Sequence, residues 1–472
     1  MTGEWPVWSD FNNSNEQALH KAELFSGLPT MLLLFVAFGS AIAAGLPPLL
    51  AVAGIAVGFA GLHLATSFTA LSVWSTNFSM MIGLAVGIDY CLFIVSRYRE
   101  EREDGKDAAE AMASTLDTAG KAVFLSALTV VLSLSAVFLV PVMVFRSMAL
   151  GMIFSVVAVA DAAFTLLPAV LVALGDRVLV ARDHQVPDRA AVRQCQRTAS
   201  RPSRPHRCRR TGVVDARIVS ATNTASRRTV VRIIPATAVD DARTSELIAR
   251  LRTSIPAAAP SALVGGPAAQ NYDLTGVLTS RAPIAIAVIT IVAFMLLLIV
   301  LRSLALAISS ILLNFISVGA AFGFASLVFQ HGFGARLIGI HPQGFVDAWA
   351  PLFFFALLFG LSMDYQLFLL ATIREQYETT GDTQLAITDC IARTGRPITN
   401  AALIMIVVFI AFGITGPIPP TELGVTLALA VLLDATIVKM MLVPSLMKLL
   451  GERNWWIPQW LDKHLPHVHF SH

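Results

Sequence analysis

Ten apolar runs, each close to the length a helix needs to cross a bilayer, constrain this 472-residue chain more than any other feature. A hydrocarbon core about 30 Å thick takes about 20 mostly apolar residues per helix. On that rule spans are expected at residues 29–45, 48–67, 77–97, 121–141 and 147–174, then at 283–301, 304–329, 350–373, 397–416 and 422–449. "GLPP" at 45–48 is read as the break between the first two, because proline and glycine interrupt helices. With 56% hydrophobic and 14% charged residues the composition is that of a polytopic membrane protein. The net charge of +3 argues little for nucleic acid as a partner.

Basic residues orient the spans. "SRYREEREDGK", "GDRVLVAR", "IREQYETTGD" and "GERNWW" read as cytoplasmic, and the acidic N-terminus and "GITGPIPPTELG" as outside. Each half therefore starts outside and finishes inside. No cleavable signal peptide is visible in the polar first 29 residues.

The two halves repeat. A shift of 275 residues aligns Asp89 and Tyr90 with Asp364 and Tyr365, Phe93 with Phe368, Arg99 with Arg374, Glu100 with Glu375 and Gly120 with Gly395. Twelve of the 40 positions from 89 to 128 are identical without a gap. At a shift of 276, Pro168 meets Pro444, Gly175 meets Gly451 and Arg177 meets Arg453. Equal orientation of the halves makes this a parallel repeat about an axis along the membrane normal.

An aspartate at the centre of a membrane helix costs about 2.5–3.5 kcal/mol on insertion scales. Asp89 and Asp364 both fall near the middle of their spans, where pseudo-symmetric helices should bring them close to the axis. Carboxyls poised there can take a proton from one side and release it to the other. Tyr90 and Tyr365 each offer a hydroxyl, and the 100° turn from the neighbouring Asp favours bonding to the opposite pair. Ser126, one turn into the next span, is a candidate supporting residue, with packing or back-bonding to its own helix the blander use. "GLAVG", Gly83 to Gly87, reads as a close packing face. Asp161 and Asp434 do not align with each other and read as structural or helix-pairing residues, Lys439 being a candidate partner for Asp434. The terminal "NWWIPQWLDKHLPH" reads as an interfacial anchor. Cys91, Cys195, Cys208 and Cys390 suggest no disulfide framework, and Cys195, His206 and Cys208 lack the second close pair of a metal site, so neither metal nor cofactor is expected.

At "GIDYCLFIVSRYREE", "SMDYQLFLLATIREQY" and "LLDATIVKMMLVPSLMKLLGERNWW" the chain resembles the MMPL branch of the resistance-nodulation-division transporters. The resemblance covers residues 25–180 and 230–465. It implies proton-driven export of lipids or other hydrophobic compounds, without enzymatic activity, and places the proton relay at Asp89, Tyr90, Asp364 and Tyr365. The family plan has twelve spans and two extracytoplasmic porter domains. Against it the chain lacks the first span of each half and most of both porter domains, so an incomplete or split transporter is expected.

The fold class expected is an all-α polytopic membrane protein of two parallel pseudo-repeats, with a small α+β extracytoplasmic remnant between them. Its parts are an N-terminal remnant (1–28), the first repeat (29–176), an Arg-rich irregular linker (177–228), a porter-domain remnant (229–282), the second repeat (283–450) and a tail (451–472). Residues 182–228 hold twelve Arg and no Lys, Phe, Trp or Tyr. The stretch reads more as a frame-shifted or deleted segment than as a basic tail on an anionic leaflet. From 229, "TVVRIIPA" reads as a strand, "DDARTSELIARLRTSI" as a capped amphipathic helix, and "SALVGGPAAQNYD" as strand and turn. Basic bias puts 177 inside and 282 outside with no apolar run of 18 residues between, a conflict, since lipid-exposed backbone must be helix or closed barrel. Plasma-membrane localisation is expected, with membrane lipids, a separately encoded N-terminal portion and a second copy of the chain as candidate partners. Two other readings of paired carboxyls are an intramembrane aspartyl protease and a non-transporting lipid- or sterol-sensing bundle.

Overall fold

A computed structural model describes residues 4–178, 213–219, 230–237, 241–258, 262–335, 344, 346–415 and 418–462. Among the described residues ten helices are long and apolar enough to cross a membrane, five in each half. The first half comprises α1 (Glu4–Phe38), α2 (Ala41–Ala65), α3 (Trp74–Glu103), α4 (Ala108–Thr115), α5 (Lys121–Ser135), α6 (Met143–Phe164) and α7 (Leu166–Leu174), with α4 and α5 forming one span and α6 and α7 another.

A separate compact unit covers residues 181–277. Its strands β1 (Val213–Val219) and β2 (Val230–Pro235) pair antiparallel, and α8 (Ala242–Ala258) follows. The strand expected at 230 forms, but its partner lies inside the segment read as an irregular linker. Asp241 accepts a hydrogen bond from the Arg243 N–H at the start of α8, as a cap. "PAAQNYD" is not a strand and turn: it opens α9 (Pro267–Leu301), which runs through the boundary expected at 282. Pro267 suits a first helical turn, where no N–H is needed. The conflict over how the chain passes from 178 to 213 falls outside the described residues, as do Cys195, His206, Cys208 and residues 463–472.

The second half continues with α10 (Leu304–Ala325), α11 (Ala350–Thr380), α12 (Thr383–Thr415), α13 (Ile418–Leu433), a π-helical stretch Asp434–Leu442, α14 (Val443–Leu450) and the short α15 (Gln459–Asp462).

"GLPP" is not the first break, since Pro47 and Pro48 lie inside α2. The chain turns at Gly39, whose φ of +64° suits glycine, and Ser40 caps α2 by accepting from the Ala43 N–H. α1 correspondingly runs without a break through the boundary expected at 28. Membrane helices tolerate interior proline where neighbouring elements satisfy the freed backbone groups. Proline also sits inside α1, α9 and α12.

The duplication is structural. Ser303 caps α10 as Ser40 caps α2, after a turn at Arg302 with φ +43°. The Arg99 guanidinium donates to the Phe38 carbonyl at 2.6 Å, and the equivalent Arg374 donates to the Leu301 carbonyl. Each arginine thus closes the last turn of the first helix in its half, satisfying a carbonyl that has no partner within the helix. Gly175 and Gly451 both take positive φ, +50° and +54°. The change of shift from 275 to 276 is one extra residue in the second half. The π-helical stretch at Asp434–Leu442 absorbs it, and such single insertions are a common origin of π-turns at functional sites.

Core packing depends on small residues. A Cβ on Gly54 would lie 2.7 Å from the Val159 Cα, and one on Gly87 would lie 2.8 Å from Val159 and 2.9 Å from Ala51. The Gly83–Gly87 face is thus a packing face between α2, α3 and α6, where close backbones gain dispersion energy without a hydrophobic driving force. Gly54→Ala is expected to cost roughly 1–3 kcal/mol of stability through overpacking. Gly323→Ala, with open space around it, should be neutral or stabilising. Melting of the two variants in lipid nanodiscs, followed by size-exclusion, checks this.

Candidate functional site

The halves meet where repeat-equivalent residues touch. The Phe93 and Phe368 rings lie 5.2 Å apart, and Phe93 also packs on Tyr365 at 5.7 Å. Near the N-terminal ends of α3 and α11 Phe78 packs on Trp349 at 5.7 Å. Trp74 and Phe78 match Trp349 and Phe353 at the same shift of 275. The pseudo-symmetry axis therefore runs beside α3 and α11, the helices that carry the Asp-Tyr pairs.

Asp89 is 5% exposed, and its Oδ1 has no hydrogen-bond partner among the described residues. The Tyr365 hydroxyl of the other half, 3.8 Å from Met405 Sδ, is placed to act as a hydrogen-bond partner of this carboxylate, and Lys439 is close enough to act on it electrostatically. Tyr90 turns the other way and accepts a hydrogen bond from Ser126 Oγ at 3.0 Å. A cavity of about 20 Å³, lined by Asp89, Tyr90, Phe93, Val123, Ser126 and Phe368, adjoins the carboxylate. That is room for one water molecule. Asp364 lies on α11 directly before Tyr365, and its side chain is outside the described atoms.

The residue that sequence reasoning left at the margin is Lys439. It is 1% exposed; its Nζ lies 2.5 Å from Asp434 Oδ2 and 4.3 Å from the centre of the Tyr365 ring. An α-helix puts residues five apart about 140° out of phase. The i→i+5 bonding of a π-helix brings them back to one side, which lets Asp434 and Lys439 pair. Ser362 donates within 2.8 Å of both Asn314 Oδ1 and Asp434 Oδ1, so three helical segments, α10, α11 and the π-helical stretch, converge at this pair. A smaller cavity of about 10 Å³ lies beside Ser317, Ser362, Tyr365, Asp434 and Lys439.

The first half builds the same junction without polarity. Ser362, Asn314 and Asp434 correspond to Gly87, Ala51 and Val159 at shifts of 275, 263 and 275. Those three are the residues in tight apolar contact there. One repeat is dry at this level, the other polar, and Tyr365 joins the polar side to Asp89. Asp161, by contrast, is exposed on α6 and takes no part.

Duplicated five-helix halves meeting around a buried carboxylate define a polytopic membrane core built from a parallel repeat. The chain belongs to the MMPL family, whose model matches residues 1–207 and 206–466. It is 32% identical over 560 residues to the mycolic acid-containing lipids exporter MmpL11 of Mycolicibacterium smegmatis, covering 100% of this chain and 59% of that protein. It is 32% identical to the heme uptake protein MmpL11 of Mycobacterium tuberculosis, covering 94% of this chain and 55% of the relative. Against the putative membrane protein SCO6666 of Streptomyces coelicolor the identity is 35%, covering 94% and 72%. The chain thus spans little more than half the length of the MmpL11 proteins it matches. The crystal structure of SecDF from Thermus thermophilus shares the fold, with a TM-score of 0.60, 15% identity, and coverage of 92% of this chain and 62% of that one.

Removing one member of a buried ion pair leaves an uncompensated charge and typically costs about 3–5 kcal/mol. Lys439→Met is therefore expected to destabilise the bundle by that order. Adding Asp434→Leu should recover most of the loss, a non-additivity that thermal denaturation of the two single variants and the double variant in nanodiscs would measure.

Proposed function

We propose that this chain forms the membrane core of a proton-driven exporter of lipids or other hydrophobic compounds in the plasma membrane. Asp89 is the proton-carrying group, and Tyr90, Asp364 and Tyr365 complete the relay. The single observation that supports the reading is a polar contact between halves: a buried carboxylate of one repeat partnered by the tyrosine of the other. Kinship with an exporter of mycolic acid-containing lipids supports the substrate class. The boundaries expected from sequence divide the labour, with residues 229–282 acting as part of a porter domain.

The chemistry is proton binding. Ionised Asp89 places a negative charge within reach of Lys439, whose own charge is balanced by Asp434. Protonation removes the attraction between Asp89 and the second half, and deprotonation restores it. The Tyr365 hydroxyl and the ring beneath Lys439 feel both states, so the interface between α3 and the α11–α13 side has two electrostatic settings. One charge moved through 100 mV supplies about 2.3 kcal/mol, enough to bias such a two-state interface severalfold. Ser126 holds Tyr90 and thereby orients the first half of the site.

In vesicles carrying a pH gradient and an entrapped pH dye, Asp89→Asn should slow proton flux through the chain by about 100-fold or more. Tyr365→Phe should slow it less. Wild-type flux from Asp89→Asn, or from the Asp89→Asn/Asp364→Asn double variant, would remove the relay from the account.

A further inference from the structure

The same comparison between halves exposes a second pair of acidic groups. Ser72 and Ser147 of the first half match Asp347 and Glu422 of the second at a shift of 275. The backbone contact is duplicated. The Ser72 N–H donates to Ser147 Oγ at 3.1 Å, and the Asp347 N–H donates to Glu422 Oε1 at 3.4 Å. Two serines therefore suffice to staple the loop to the start of the following span. The second half makes the staple from two carboxylates, at the end of the bundle opposite its basic loops.

Stapling does not use all of what is there. Glu422 is fully buried, yet its Oε2 has no hydrogen-bond partner among the described residues. One turn further in, on the same face of α13, Thr426 is also fully buried with its Oγ1 unmatched. Buried polar atoms without partners call for an unrecorded ligand, a water or a proton. One turn further along α13 lies Ala430, and one turn beyond that, at the start of the π-helical stretch, Asp434; both line the cavity beside Lys439. Burial holds the Asp347 carboxyl above the usual carboxylate range, against the pull of its hydrogen bond from Trp349. α13 packs against α10, α11 and α12. Residues 304–325, 350–363 and 397–415 of those helices carry no titratable side chain. Among the described residues Asp347 is thus the charged group that faces Glu422 at this end, with Asp434 and Lys439 below it on the π-helical continuation of α13.

We propose that Asp347 and Glu422 form an extracytoplasmic proton-loading site, through which the second half feeds the central Lys439–Asp434–Asp89 cluster. Its ligand is the hydrated proton. A hydronium ion gives its proton to Glu422 Oε2, forming the neutral acid and leaving water. Release inward past Thr426 regenerates the carboxylate. The proposal rests on the relay assigned to Asp89 and adds the side from which protons enter, one repeat having kept the staple and the other having made it titratable.

Replacing the pair by the first half's own residues is the test. The Asp347→Ser/Glu422→Ser variant keeps a staple already used in this fold, so its melting temperature should stay near wild type. Its proton flux should need at least about tenfold more protons outside for half-saturation, a full pH unit, with the maximal rate retained. Independently of flux, an apolar carbodiimide should label Glu422 in membranes, increasingly as the pH falls, and mass spectrometry of peptides would locate the adduct. Unchanged half-saturation in the folded variant, or labelling that ignores pH or bypasses Glu422, would overturn the loading site. Loss of flux in Asp89→Asn with normal labelling of Glu422 would leave both proposals standing. Normal flux in Asp89→Asn with a shifted half-saturation in the serine variant would sink the relay alone.

Discussion

Lys439 lies 2.5 Å from the Asp434 carboxylate and 4.3 Å from the centre of the Tyr365 ring, and Tyr365 in turn bonds to Asp89 of the other half. An ion in hydrocarbon must be paired, hydrogen-bonded or neutralised. This chain does the first with Lys439 and Asp434, and the second with Ser362 at that pair and with Tyr365 at Asp89. The packing around them follows from that need. Three segments of the second half converge so that each polar atom of the pair has a partner, and the aromatic seam of Phe93, Phe368 and Tyr365 packs beside the junction. Replacing such a pair with apolar residues is often neutral or stabilising. Its retention therefore argues for use of the charge, not for strength.

Duplication explains how the arrangement can be asymmetric without losing its fold. Capping serines at 40 and 303, capping arginines at 99 and 374, and glycine turns at 175 and 451 hold the two halves to one backbone plan. On that plan the first half fills its central junction with Gly87, Ala51 and Val159, and the second with Ser362, Asn314 and Asp434. A transporter needs a route that is polar enough to pass a proton and a counterpart rigid enough to brace it. In the proposed relay that division falls between the repeats.

Much of this was legible in the sequence. Ten spans followed from length and hydropathy, and the repeat followed from Asp, Tyr, Arg and Gly recurring at fixed distance. That a tyrosine would bond across halves followed from the 100° turn between neighbours on a helix. Other features were hidden for physical reasons. Pro47 and Pro48 outweighed Gly39 as a break signal because proline is a strong breaker in water but a tolerated residue in a bundle. β1 lay in an Arg-rich stretch whose pairing depends on a partner strand, which no local pattern announces. The Asp434–Lys439 pair needed a π-turn, and its one trace in the text was the slip from 275 to 276. Glu422 and Asp347 are 75 residues apart, and only their repeat counterparts Ser72 and Ser147 identify them as a pair.

The account stands on Asp89 exchanging a proton while buried between the halves. Infrared difference spectra of the chain in lipid bilayers, taken as the medium is stepped between alkaline and acid, observe that carboxyl directly. A protonated-carboxyl C=O band that appears on acidification in the wild type and is missing in Asp89→Asn is the expected result. Spectra in which Asp89→Asn removes nothing would mean that this side chain holds one protonation state throughout, and the proton-driven reading would be wrong.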